Sequence, residues 1–550
     1  MNVAVPPAAR PSDAALAYHA RTKHGLKGYA AGPETLDWDM QPNPFREFEG
    51  APRTPLPLAA EQLAVTWGAA ITPGAVPPAP LDLAGVALLL ELSFGLAAWK
   101  QYGPDRWALR CNPSSGNLHP TEAYVLAENV AGLGDGLHHY VSRAHALEQR
   151  RAAPAPAGPD GRLWLGLSSI HWREAWKYGE RAFRYCQLDL GHAIGAVRYA
   201  AGCLGWTVEV VEGLESAELA QLMGLDRAQD FSGAEPEDPD VLLHITPAPR
   251  AASGAPPRPA VPDAAGWAGV ANVLDRHPMY RWPVIEAVSA ATHGGGSQGA
   301  EADAAPDMEA AAPAPAPGST LAGPAEMRAA AVILGRRSAQ RFSAKESLMG
   351  RDTFFNIMGA LLVRPAAPLD VWSRVPRLHS LVFVHRVEGL APGVYALPRR
   401  PQATALLRAQ LRDDFQWATP EGCPAHLPLY RLVETDCRGI ARTLSCHQAI
   451  ASDGSFALSM LAEFEPEVAA DSFAYRRLHW EAGLLGQVLY LEAEAAGFRG
   501  TGIGCYFDDD LHRLVGMETL QFQSLYHFTV GRPAIDTRIT TEPAYPGRSA

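Results

Sequence analysis

Three short stretches carry side chains that could do chemistry. Within Ile333–Phe342, Arg336, Arg337 and Arg341 stand close to Ser338 and Gln340. A guanidinium stays charged at any relevant pH and can give two parallel hydrogen bonds to a phosphate, so this spacing suits an anionic ligand. The plainer alternative is a solvated basic turn. Just after Arg110, the run Pro113, Ser114, Ser115, Gly116, Asn117 sets small hydroxyls, an amide and backbone donors side by side. That is a surface for a flat, polar-edged ligand, or simply a tight turn. Lys177 and Tyr178 are neighbours, and a lysine whose pKa is lowered by burial, or a tyrosine beside it, can take a proton. Adjacent helical residues point about 100° apart, so both reach one cleft only if a helix begins after them, which Gly179 permits. Tyr185, Asp189 and His192 then fall on one helix face and are expected to form a buried hydrogen-bonded cluster. His119, His138 and His139 lack partners at metal-ligand spacing, so no metal is expected.

The elements that position these residues occur twice. A shift of 292 residues lays Arg184 on Arg476, Gly191 on Gly483, Gly205 on Gly497 and Gly224 on Gly516. Each copy reads as a long apolar helix, 186–204 and 478–496, ending at a glycine, then an extended piece and a small amphipathic helix, 217–223 and 509–515. Upstream, 123–127 leads to 136–140 and 381–385 leads to 393–397, each as strand, turn, strand. The apolar run 81–99 reads as a buried core helix. Between the copies, 292–326 is rich in Gly, Ala and Pro and reads as a disordered linker.

At 550 residues the chain exceeds one hydrophobic core. A net charge of -12 without basic runs argues against a phosphate-backbone grip on nucleic acid. The N-terminus lacks the order of a signal peptide, and the apolar run carries Asp82 and Glu91, so no membrane partner is expected. Seven scattered cysteines with no Cys-x-x-Cys pair read as reduced thiols, and a cytoplasmic location is expected.

The Pro113–Asn117 turn and the Arg336-Arg337-Ser338 run resemble motifs of the nitroreductase superfamily, whose members bind FMN between two subunits. Within it the chain resembles the SagB-type, azoline oxidase-like dehydrogenases. The resemblance implies an α+β fold of two tandem nitroreductase-like domains, each a central sheet flanked by helices, forming an intramolecular pseudo-dimer. The divisions are a wrapping segment at 1–50, a first domain at 51–255, a Trp-bearing arm at 256–290, the linker at 291–326, a second domain at 327–540 and a tail at 541–550. In homodimeric relatives the two motifs around one FMN come from different subunits. Here each half keeps one motif and offers Leu90–Gly95 or Val375–Ser380 in place of the other. The resemblance therefore implies one complete FMN site and a degenerate counterpart. It assigns Arg110, Pro113, Ser114, Ser115 and Asn117 to the cofactor from the first half. From the second it assigns Arg336, Arg337, Ser338, Gln340, Gly502, Gly504 and a tail arginine, Arg538 or Arg532. Gln340 stands where the family often has a cation, and adds no charge. Lys177-Tyr178 resembles the catalytic Lys-Tyr element of azoline oxidases. The implied activity is hydride transfer between a small heterocycle or modified-peptide substrate and flavin N5. An NAD(P)H-dependent nitro or quinone reductase and a flavin-free scaffold in a biosynthetic complex are the alternatives, and further homo-oligomerisation stays open.

Overall fold

The computed structural model describes residues 10–153, 160–247, 255–261, 265–294, 326–371 and 374–547. The linker expected at 291–326 lies almost wholly outside them. The first half contains α1 (Pro11–Arg21), β1 (Arg53–Pro55), α2 (Leu83–Ser93), β2 (Leu96–Tyr102), β3 (Asp105–Arg110), β4 (Thr121–Glu128), β5 (Gly136–Val141), β6 (Ala146–Ala152) and β7 (Arg162–Ser169). It continues through α3 (His171–Tyr178), α4 (Ala182–Cys203), β8 (Thr207–Val210), α5 (Ser216–Met223), β9 (Asp238–Thr246) and α6 (Pro283–Ala291). The second half contains α7 (Ala329–Gly335), β10 (Leu378–Val384), β11 (Gly393–Leu397), β12 (Tyr430–Glu434), β13 (Phe456–Glu463), α8 (Ala474–Ala495), β14 (Arg499–Ile503), α9 (Asp508–Val515), β15 (Phe522–Gly531) and β16 (Thr540–Glu542), among shorter helices.

Two antiparallel sheets result, ordered β1-β6-β5-β4-β7-β9-β8 and β12-β11-β10-β13-β15-β14. Setting β1 aside, both follow the same order, third, second, first, fourth, sixth, fifth. The residue matches therefore mark a repeat of topology.

The repeat also explains which residues match. Every residue of α4 is buried, as suits a helix enclosed on all sides, and α8 crosses it with glycine on glycine. A Cβ on Gly191 would overlap the Trp480 carbonyl and lie 2.8 Å from Gly483 Cα; one on Gly483 would overlap the Leu188 carbonyl. Larger residues would force the helices apart. Arg184 reaches from the first half to Asp508 at 2.8 Å, and Arg476 reaches back to Asp238 and Asp240, each at 2.7 Å. Gly224 and Gly516 end α5 and α9 in the left-handed conformation that favours glycine.

Several boundaries differ from expectation. The core helix expected at 81–99 stops at Ser93, because the chain turns at Gly95, where a Cβ would overlap the Glu91 carbonyl, and continues as β2. The leading segment is more than a surface wrap: α1 buries Tyr18, whose hydroxyl donates to Glu180 O at 2.6 Å. In the Trp-bearing arm, Val270–Ala271 pairs with Phe48–Glu49, and Trp267 packs against Gly224. The tail crosses the seam: β16 pairs with β2, giving a third sheet ordered β16-β2-β3, and Tyr545 accepts from Leu96 N at 2.8 Å. Among the described residues, no helix is long and apolar enough to cross a membrane.

Candidate active site at the seam

A cavity of about 570 Å³ opens between the halves. Its first wall is the 113–117 turn. Gly116, Asn117 and His119 all have positive φ, so the chain reverses tightly after β3. Asp189 of α4 holds the turn, accepting from Ser115 N at 3.0 Å and from its hydroxyl at 2.9 Å. Asn117 Nδ2 donates to Ala108 O at 2.9 Å, and its Oδ1 pairs with His119 Nε2 at 3.0 Å. The donors of Ser115 and the side-chain amide of Asn117 are thus occupied in holding the turn. Burial raises the Asp189 carboxyl to about 7. Burial and then Asp189 push its neighbour Glu174 well above the carboxylate range, so this pair keeps a proton near neutral pH. Arg110 lines the cavity, but its guanidinium donates to Pro44 O at 2.5 Å and Thr121 O at 3.3 Å.

The opposite end is cationic. Arg336 crosses the seam, donating to Cys111 O at 3.1 Å and Arg110 O at 2.9 Å, and stacks on Tyr490. The arginine-serine run and the proline-serine turn are therefore direct neighbours. Arg337 turns Nη1 to the Leu334 and Arg336 carbonyls, each at 2.7 Å; burial and then the Arg336 charge lower it to about 10. Lys100 of β2 and Arg499 of β14 join them, and Lys100 is lowered by burial and then by Arg337 and Arg499. Ser338 shares a 2.8 Å hydrogen bond with Tyr490, whose hydroxyl accepts from Gly502 N at 3.0 Å. Gln340 lines the wall without adding charge. A Cβ on Gly502 would overlap the Tyr526 hydroxyl and one on Gly504 the Tyr185 ring, so both glycines are sterically required.

The Lys177-Tyr178 pair precedes α4 as expected but also ends a helix of its own, α3; Gly179, at φ +56, breaks the chain between the two helices. Both side chains still converge: a Cβ on Gly116 would lie 2.6 Å from Tyr178 Oη and 3.1 Å from Lys177 Nζ. Tyr178 lines the cavity, while Lys177 stands behind Gly116 over the Trp38 ring. Burial lowers the Lys177 pKa, opposed by Glu174, and burial pushes Tyr178 well up. Tyr185, Asp189 and His192 share a face and line the cavity; of the hydrogen-bonded cluster expected across the seam, His192 makes its part, to Tyr526 and Gln487 of the second half. Asp189 serves the turn, His192 bonds Tyr526 at 3.0 Å, and Tyr185 packs on Tyr178. Arg538 lies outside the cavity; its side chain is 68% exposed and pairs with Asp536 at 2.7 Å, two residues away. Arg532 instead donates to Gly497 O and stacks on Phe498.

Lys100, Arg499, Tyr490 and Tyr526 were missed from the sequence. Only Arg499, next to the Gly500–Gly504 run, carried a local signal. At the position related by the 292-residue shift, Tyr490 is replaced by Arg198, ion-paired to Asp370 at 2.7 Å, beside the buried Trp67 and Tyr199 rings. The Tyr490 hydroxyl and its bonds to Ser338 and Gly502 are therefore not repeated there. Among the described residues, no cluster of His, Cys, Asp or Glu could hold a metal ion.

No family model matches the chain. A stretch of 161 residues, 26% of the chain, is 25% identical to a protein of Methanocaldococcus jannaschii named as a nitroreductase, and covers 75% of it. A solved structure from Anabaena variabilis, also named as a nitroreductase, matches with a TM-score of 0.65 and 19% identity, over 95% of this chain and 99% of that one. The chain thus has a nitroreductase-like α+β fold, with two tandem domains packed as an intramolecular pseudo-dimer.

Proposed function

We propose that the chain is an FMN-dependent oxidoreductase of the SagB type, taking a hydride from a small heterocycle or modified peptide. The observation that carries this reading is the crowding of Lys100, Arg336, Arg337 and Arg499 at one end of the seam cavity. Burial and then neighbouring arginine charge lower Lys100 and Arg337, and a dianionic phosphate would relieve that crowding. The volume falls within the range of about 300–1,000 Å³ usual for cofactor sites. Trp107, Leu109 and Ile535 supply apolar wall, and buried Asn112 Oδ1 and His119 Nδ1 have no hydrogen-bond partner among the described residues. The donor set therefore fits FMN.

The four cations would hold the phosphate, with Ser338 and Gln340 beside them. Pro113, Ser114 and the turn would face Gly502 and Gly504 across the ligand. FMN, when bound, supplies the ring that exchanges hydride with substrate. The chain's own task is the proton. Tyr178, held protonated, presents its hydroxyl to the cavity, and Lys177, whose pKa is lowered, takes the proton behind it. Incubation with FMN, desalting and a visible spectrum test the cofactor; loss of all flavin absorption refutes it.

A second reading, an NAD(P)H-dependent nitro or quinone reductase, is favoured by the name of the Methanocaldococcus jannaschii relative. Anaerobic mixing with NAD(P)H separates the two, since rapid bleaching of the flavin supports the reductase and persistent oxidised flavin supports the dehydrogenase.

A further inference from the structure

Cys446 and Cys505 are distant in sequence and neighbours in the fold. Phe507 N donates to Leu444 O at 2.8 Å, and Gln448 Nε2 donates to Cys505 O at 3.2 Å, which brackets Cys446 against Cys505. These two contacts, one on either side, bring the two cysteines together, and each thiol shifts the other's titration. Both are only half-buried, whereas Cys111, Cys186, Cys203 and Cys437 are fully buried. Cys505 follows Gly504 and lines the seam cavity. Cys446 and His447 hold left-handed backbone at φ +51 and +60, a conformation that non-glycine residues adopt at a cost and that clusters at functional sites.

The surroundings favour thiolate at one position. His24 Nδ1 accepts from Ala30 N at 2.9 Å, and His24 forms a β-bridge with Phe507, two residues beyond Cys505. Arg181 donates to Gly504 O at 3.2 Å and to Asp508 at 3.0 Å, adding positive charge beside the thiol. Tyr29 packs on His24 at 5.1 Å. The Cys446 thiol holds Cys505 well below the usual thiol value against the effect of burial, with His24 and Arg181 assisting. Cys505 in turn, and then burial, keep Cys446 protonated.

We propose that Cys446 and Cys505 form a redox-active dithiol/disulfide site that reacts with small disulfides entering through the seam cavity. Cys505 Sγ attacks one sulfur of the disulfide RSSR; that S–S bond breaks and RS⁻ leaves. Cys446 gives its proton to the departing RS⁻, then attacks Cys505 Sγ, closing the protein disulfide and releasing the second RS⁻. The protein loses two electrons and the small disulfide gains them, so no further reactant is needed. The site shares the seam cavity with the flavin assignment, but its test reads thiols, so failure of either leaves the other standing.

The full chain, reduced with dithiothreitol and desalted, is incubated with glutathione disulfide, alkylated under denaturing conditions and mapped by mass spectrometry. A Cys446–Cys505 crosslinked peptide, reversed by dithiothreitol, is expected. In Cys446→Ser a stable glutathione adduct on Cys505 is expected, because the resolving thiol is gone. Full alkylation of both thiols in the unaltered protein overturns the proposal, as does an adduct confined to Cys423 in the variant. If the variant fails to fold, the map of the unaltered protein still decides.

Discussion

Arg336→Ala removes one of the four cavity cations. Two of its groups, Nε and Nη2, donate to the Cys111 and Arg110 carbonyls, which leaves Nη1 as the group available to an anion. Losing one charge-assisted contact costs about 1.5–3 kcal/mol, or about 10- to 150-fold in Kd for FMN. Losing the two seam bonds also lowers the stability of the ligand-free protein, by about 1–3 kcal/mol. Arg336→Lys separates these effects, since it keeps the charge and loses the paired donors. Fluorescence titration of FMN reports the affinity, and urea unfolding of the ligand-free protein reports the stability. Arg538→Ala is the control, because that arginine is exposed and does not line the cavity. Unchanged FMN affinity in Arg336→Ala, or an equal loss in Arg538→Ala, refutes the phosphate assignment.

Other perturbations reach other parts of the account. Gly191→Ala and Gly483→Ala should each destabilise by about 1–3 kcal/mol, because each Cβ overlaps the opposing helix. The double variant should lose less than their sum, since one separation of the helices relieves both; additive losses in urea unfolding would contradict the shared crossing. Lys177→Met should retain FMN and lower turnover by about 10²- to 10⁴-fold. In the unaltered enzyme, turnover should rise with pH through a value below the usual lysine pKa, as the neutral amine appears; release of FMN by the variant would make Lys177 structural. The Asp189 carboxyl, raised to about 7, binds its proton more tightly folded than unfolded. Stability should therefore fall as pH rises from about 4 to 7, by up to about 4 kcal/mol from this group. Asp189→Asn should flatten that slope, and an unchanged slope in thermal melts counts against the assignment.

The parts legible in the sequence were those whose reason is local. Glycines at 191 and 483, and at 224 and 516, stood out because a helix contact or a left-handed turn admits little else, and the sheets repeat as those matches implied. Arg336-Arg337-Ser338 and the 113–117 turn were visible as polar runs. Lys100 and Arg499 were not, because single cations on strands mean nothing until β2 and β14 are brought to one cavity. Arg538 misled for the opposite reason: it looked like a free cation near the end, while Asp536 satisfied it two residues away. The Lys177-Tyr178 pair was placed before a helix because adjacent helical residues diverge, yet at a helix end the break at Gly179 lets both tips meet. The Cys446 and Cys505 thiols gave no spacing signal, since a loop and a strand end bring them together.

The central claim is that two unlike halves build one flavin site. FMN content per polypeptide, measured after saturation and desalting by releasing the flavin and quantifying both, tests it most directly. The account predicts one FMN per chain. Two per chain would mean that the counterpart region around Arg198 and Tyr199 also binds flavin, and none would remove the site altogether.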